Sequence, residues 1–258
     1  MEATGSRFSL QSLHVAAMQG EEKLSHATAF AVEFEGRHYL VTNLHVVTGL
    51  NQETGTWLSG CSRNRRPTRL LISWPSFNRT HPDTSVMDLY DDDLKRLYFG
   101  GNGMMEGVYP SRDVALIPVP DTLMYQVQER AFRLKPNDHV PLSVTDAVYI
   151  LGFPDNAALL PGVPAVWTRG SVASEPDLGR DPLLVDARTR PGQSGSPVIV
   201  YRRQFSHVSE GGYGESFPEA ARLVGVYSGR TSNDSDLGRV WSTETIIEAI
   251  THGSHWNH

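Results

Sequence analysis

The sequence predicts an all-β protein with two lobes, and three observations carry that prediction. Short runs of β-branched and aromatic residues recur along the chain, each bounded by Gly, Pro, Asn or Asp. Helical patterns of about 10–15 residues do not alternate with these runs, which points to a sandwich or barrels and away from β/α units. The 258 residues are enough for one large domain, or for two small lobes with their own cores.

The elements follow in order. The first 25 or so residues lack a basic segment followed by a long apolar core, so no secretory signal is expected. In TAFAVEFEG, Phe30, Val32 and Phe34 alternate, and Gly36 turns the chain into HYLVT; the pair reads as a hairpin. TRLLISW (68–74) and DVALIPV (113–119) complete a first lobe over about 25–120. The segment 75–112 is long and irregular and reads as a large loop, with the acidic run Asp91-Asp92-Asp93 capping a short helix near Leu94. Residues 120–140 cross to the second lobe, about 140–241. Its runs are AVYILGF (147–153), AVWTRGSVAS (165–174), PLLVDA (182–187), SPVIVYR (196–202), ARLVGVYSG (221–229) and GRVW (238–241). STETIIEAI is the best helix signal: Ser242 or Thr243 can cap it, Glu244 suits its positive end, and Ile246, Ile247 and Ile250 share a face. Residues 242–258 therefore form a C-terminal helix and tail. The whole of 1–258 reads as a single domain.

Composition narrows the function classes. Hydrophobic content is 39% and charged content 20%, as in ordinary globular proteins, and no run of about 18 apolar residues offers a membrane span. Net charge is -6 with no basic stripe, so nucleic acid is not an expected partner, and RNRRPTR (63–69) reads as a solvated loop. Cys61 is the only cysteine, which excludes an internal disulfide, zinc fingers and iron–sulfur centres. With no signal, it favours a reducing, cytoplasmic location. His252, His255 and His258 read as a frayed tail, and no phosphate loop, dinucleotide fingerprint or calcium loop occurs, so neither metal nor cofactor is expected.

The chemistry centres on LLVDARTRPGQSGSPVIV (183–200), where Ser194 sits at a bend between Gly192 and Gly195. A serine hydroxyl is a poor nucleophile at neutral pH. It needs a base, an orienting group for that base, and N–H donors aimed at the developing oxyanion. The bend can supply the donors: Gly192 permits close backbone approach, and the amides of Gly192 and Ser194 can face one pocket. His45 follows the run YLVTN, and Asp113 precedes an apolar strand, where a partly buried carboxylate needs a partner such as an imidazole N–H. The order His45, Asp113, Ser194, with the first two in one lobe and the serine in the other, is that of a chymotrypsin-type triad. An α/β-hydrolase elbow is excluded, because Ser196 stands where its second glycine would be and the order differs.

On these residues the chain resembles bacterial trypsin-like serine peptidases of the chymotrypsin fold, in the branch without disulfides that includes the Deg/HtrA-type proteases. ATAFAVEFEGRHYLVTNLHVV resembles the histidine segment, RDVALIPV the aspartate segment, VYILGFP and TRGSVAS the early strands of the second barrel, LLVDARTRPGQSGSPVIV the nucleophile segment and LVGVYSG the strand after it. The resemblance spans about 28–241. It implies two six-stranded barrels with the active site between them, and it maps the base to His45, the orienting acid to Asp113 and the nucleophile to Ser194. It puts the oxyanion hole at the Gly192 and Ser194 amides and Ser228 beside Asp113 as a support. It walls the substrate pocket with 187–193 and Ser228-Gly229-Arg230, with Arg188 at the base and Thr189 and Arg230 facing inward. An arginine there would favour an acidic side chain before the scissile bond.

Two features depart from the family. Gln193 replaces the aspartate that pairs with a freshly cut N-terminus in secreted digestive members, so that activation switch is expected to be absent. About 17 residues follow Trp241, too few for a PDZ-like domain. The expected function is a serine endopeptidase acting on protein or peptide substrates, with narrow specificity or an activating partner protein, in bacterial stress or antiphage defence. A non-catalytic protein-binding module and an esterase on the same scaffold are the alternatives, and the oligomeric state is open.

Overall fold

The computed structural model describes residues 6–77, 83–100, 112–135, 142–155, 162–176, 181–208, 214–232 and 234–253, with backbone only over 203–220. The first lobe contains β1 (Ser12–Gln19), β2 (Glu22–Phe34), β3 (Arg37–Thr42), a one-turn helix α1 (Leu44–Thr48), β4 (Arg69–Trp74), β5 (Asp83–Asp88), β6 (Phe99–Gly100) and β7 (Ala115–Pro118). A short helix α2 (Met124–Val127) and β8 (Phe132–Arg133) lie in the crossing segment. The second lobe contains β9 (Ala147–Gly152), β10 (Val166–Val172), β11 (Leu183–Asp186), β12 (Pro197–Val208), β13 (Gly214–Arg230) and β14 (Leu237–Ser242), followed by α3 (Thr243–Gly253).

The second lobe closes as the six-stranded barrel that was expected, in the order β10-β11-β14-β13-β12-β9. The first lobe is an eight-stranded sheet, β5-β4-β1-β2-β3-β7-β6 with β8 beside β2, and among the described residues its edge strands do not pair to close it. Among the described residues β6 spans two, Phe99 and Gly100.

β1 begins at Ser12, well before the 25 or so at which the sequence pattern places the first lobe. Its pattern is hard to read because residues of both faces are buried: Leu13, Val15 and Ala17 lie in the core while Ala16 on the other face is also buried, and β1 pairs with β2 and β4 along its edges. β2 has two buried faces as well. Ala27, Ala29 and Ala31 pack inside the first lobe, whereas Phe30, Val32 and Phe34 join Leu151, Phe153, Ile199 and Val226 of the second lobe in a shared seam. The period of two in TAFAVEF therefore separates small residues from large ones rather than buried from exposed. Ile246 and Ile250 of α3 enter the same seam, and Arg112 pairs with Glu248 on that helix. Ser242 caps α3 by accepting from the Thr245 amide at 3.2 Å.

The helix expected near Leu94 does not form. Asp91 Oδ1 accepts from the Asp93 and Lys95 amides at 3.0 and 2.7 Å, and Leu94 has φ 61°, so a side-chain-to-backbone turn replaces the helix. Among the described residues no helix is long and apolar enough to cross a membrane.

Candidate active site

β3 and β7 pair antiparallel, with Thr42 opposite Ala115. The chain leaving β3 and the chain arriving at β7 therefore meet at one end of the first lobe, which brings His45 to Asp113 across 68 residues. The sequence places His45 at a turn; it lies in α1, which ends in a left-handed Gly49. Asn43 precedes this turn, is fully buried, and donates its Nδ2 to the Asp113 carbonyl at 2.7 Å. The Asp113 carboxylate spends both oxygens on His45: Oδ1 accepts from the His45 amide at 2.9 Å, and Oδ2 faces Nδ1 at 2.6 Å. A carboxylate accepts only, so in the neutral imidazole Nδ1 carries the hydrogen and Nε2 is left as the basic atom. Burial pulls the His45 pKa down, but the charge and hydrogen bond of Asp113 outweigh it and leave it raised above 6.5.

Ser194 stands in a turn whose peptides are each held from outside. The Pro191 carbonyl accepts from the Asp155 amide at 3.0 Å, and the Gln193 carbonyl accepts from the Ser196 amide at 3.0 Å. In a trans peptide the N–H points opposite to the C=O, so the Gly192 and Ser194 amides are turned the other way. Among the described residues neither has an acceptor. Gly192 has φ 91°, and a Cβ there would strike the Phe153 carbonyl and His26 Nε2. A Cβ on Gly195, φ 84°, would collide with the Thr28 carbonyl.

One cleft of about 380 Å³ is lined by His45, Asp113 and Ser194 together, although they come from both lobes. Among the described residues no hydrogen bond joins His45 Nε2 to Ser194 Oγ. Thr189, Ser228, Gly229 and Arg230 also line the cleft, whereas Arg188 is exposed and is not among the lining residues. Strand alternation accounts for this, since Ala187 and Thr189 on either side of Arg188 are the buried pair. Ser228 makes no hydrogen bond to Asp113 among the described residues, and both carboxylate oxygens face His45. A register shift between Tyr227 and Gly229 instead leaves Ser228 without a partner on β14, at the cleft wall.

Four further residues shape the site and carry no sequence signal of their own. Asn43 anchors the aspartate segment as described. Thr28 binds the Ser194 turn to β2: its amide donates to the Ser194 carbonyl at 2.8 Å, and its hydroxyl donates to the Gly192 carbonyl at 2.9 Å. Gln193 is 1% exposed; its Oε1 accepts from the Arg190 amide at 2.8 Å and its Nε2 donates to Thr168 Oγ1 at 2.9 Å. Tyr227 bonds Thr189 through paired hydroxyls, and a Cβ on Gly238 would strike its ring. Among the described residues no cluster of His, Cys, Asp and Glu could hold a metal ion.

Solved structures similar to this chain are proteases. A thermostable serine protease from an extremophilic microorganism aligns with TM-score 0.57 at 13% identity, covering 98% of this chain and 100% of that one. The serine endoprotease from Yersinia pestis aligns with TM-score 0.52 at 14% identity, over 97% of this chain and 67% of that one. The active form of a protease from M. tuberculosis gives TM-score 0.51 at 15% identity, over 95% and 81%. At these identities the likeness is one of fold. No curated protein matches at the sequence level. The family model for the trypsin-like peptidase domain matches residues 27–204, which contain His45, Asp113 and Ser194. That match takes in well over half of the chain, which therefore belongs to the trypsin-like peptidase family.

Proposed function

We propose that the protein is a serine endopeptidase in which Ser194 is the nucleophile, His45 the general base and acid, and Asp113 the group that orients and stabilises the imidazolium. The observation that carries this reading is the cleft that Ser194 shares with the His45–Asp113 pair, beside the Gly192 and Ser194 amides, which have no acceptor among the described residues. Such amides suit an oxyanion, and a base raised by its carboxylate suits proton transfer from a hydroxyl.

The reaction follows from these roles. Ser194 Oγ attacks the substrate carbonyl carbon, its proton passes to His45 Nε2, and the carbonyl oxygen becomes an oxyanion held by the two amides. The C–N bond then breaks as His45 returns the proton to the departing amine, leaving an ester on Ser194. Water, losing a proton to His45, attacks that ester, and the acid product leaves as the serine recovers its hydrogen. Narrow specificity or an activating partner belongs to the same reading; broad casein cleavage by the purified chain would count against it.

Intact mass after treatment with a fluorophosphonate probe tests the proposal. The expected outcome is one adduct on the protein and none on the Ser194→Ala variant. Absence of an adduct on the unaltered chain, with and without peptide substrate present, would remove Ser194 from the nucleophile role.

A further inference from the structure

The chain carries a net charge of -6, yet the cleft around Ser194 is lined by three arginines, Arg190, Arg230 and Arg239. Two carboxylates line it, and both are engaged: Asp113 with His45, and Glu53 with Arg239 at 2.6 Å. Arg239 also donates to the Arg230 and Thr231 carbonyls at 3.1 and 3.3 Å, so it is a structural brace across the wall. Arg190 turns Nη1 to the Thr189 carbonyl at 2.7 Å. Arg230 is half-buried, and among the described residues its guanidinium makes no hydrogen bond or ion pair. A half-buried cation without a counter-charge is costly unless a ligand supplies one.

The surroundings of Arg230 favour an anion over other ligands. Tyr227 and Thr189 form a buried hydroxyl pair at the cleft wall next to Ser228 and Gly229. One hydroxyl of such a pair donates to the other, and the hydrogen of the second remains for an outside acceptor. Burial raises the Tyr227 phenol pKa; the Thr189 hydrogen bond and then the Arg230 and Arg239 charges draw it back, which puts the guanidinium within electrostatic reach of the hydroxyls. The ring of Tyr227 lies against Gly238, which closes the wall behind it. A cationic substrate side chain would meet like charge here, and a bulky apolar one would strand the hydroxyls and the guanidinium.

We propose that Arg230, with the Thr189 and Tyr227 hydroxyls, selects a substrate carboxylate, so that cleavage follows Glu or Asp. This rests on the peptidase reading. Arg230 accepts the charge and the free hydroxyl hydrogen fixes the orientation, as in other charge-assisted recognition of carboxylates. Arg190, at the rim, steers the acidic peptide into the cleft.

The test is a set of peptides that differ only in the residue before the scissile bond, Glu, Asp, Gln, Ala, Phe or Lys, with fluorophosphonate labelling measured in parallel. The expected result is a kcat/KM for Glu or Asp that exceeds both Gln and Ala by about tenfold or more. In Arg230→Gln the Glu-to-Gln ratio should fall to near one, and in Arg230→Glu preference should move toward Lys. The Glu-to-Gln comparison on the unaltered protein separates charge from shape, so the proposal is decided even where a variant fails to fold. A protein that labels at Ser194 but cleaves Ala, Phe or Lys peptides as well as Glu overturns the proposal and leaves the peptidase reading standing. A protein that does not label overturns both.

Discussion

At the residue scale, the site depends on how Asp113 divides its two oxygens. One holds the His45 backbone and the other its ring, so the imidazole is fixed in position and in tautomer by a single carboxylate. Asp113→Asn would keep the shape but offer an N–H where an acceptor is needed. kcat/KM is expected to fall by about 10³–10⁴-fold, as when the tautomer is wrong in other triads. The pH profile checks the cause. A base acts when deprotonated, and the His45 pKa is raised by Asp113 against the opposing effect of burial. Activity should therefore rise with pH through a limb above the ordinary value of 6.5, and that limb should move down in Asp113→Asn, where burial acts without the carboxylate. A limb that does not move would mean that Asp113 is not what raises His45.

At the element scale, the nucleophile turn is held by the strands around it. β2 supplies Thr28, whose hydroxyl donates to the Gly192 carbonyl and accepts from the Phe153 amide at 3.3 Å. β10 supplies Thr168, which receives the Gln193 side chain. The neutral glutamine thereby joins the Arg190 amide to β10. Thr28→Val keeps the shape of the side chain and removes both hydroxyl bonds. The expected cost is about 1–3 kcal/mol of stability, because two buried backbone groups lose their partner. Chemical denaturation measures that loss. The fluorophosphonate labelling rate should fall as well, since the peptide between Gly192 and Gln193, next to Ser194, loses its anchor to β2. These supports are not legible in the sequence, because nothing about a threonine in TAFAV distinguishes one that spans two lobes from one that fills a strand. The strands themselves are legible where one face is polar. β1 is not, since residues on both of its faces are buried and its alternation is lost.

At the scale of the whole molecule, a histidine where the lobes meet is expected to make stability depend on acid pH. His14 of β1 packs edge-on to Phe153 of the second lobe at 5.5 Å and lies beside His26 at 5.5 Å. Burial, then the charges of His26 and Lys23, lower its pKa from 6.5 to about 4. Between those values the unfolded chain binds a proton that the folded chain refuses, so stability is full above 6.5 and declines as pH falls toward 4. His14→Phe should flatten that decline in denaturation curves measured across the window. An unchanged slope would assign the acid sensitivity to other groups.

The six-stranded second barrel was implied by the family resemblance, and the sequence by itself determined the all-β class, the two lobes, the C-terminal helix, and the order of His45, Asp113 and Ser194. Each of these is written locally, in period-two runs, turn glycines and a capped isoleucine face, and each survives without knowledge of the neighbours. The tertiary structure alone decided what depends on distance through space. It put Arg188 in solvent and Arg230 in the cleft, left Ser228 off the carboxylate, kept the first lobe open among the described residues, and recruited Thr28, Asn43, Gln193 and Tyr227. Alternation says that neighbouring side chains point to opposite faces, but which face becomes a cleft is set only when two sheets meet.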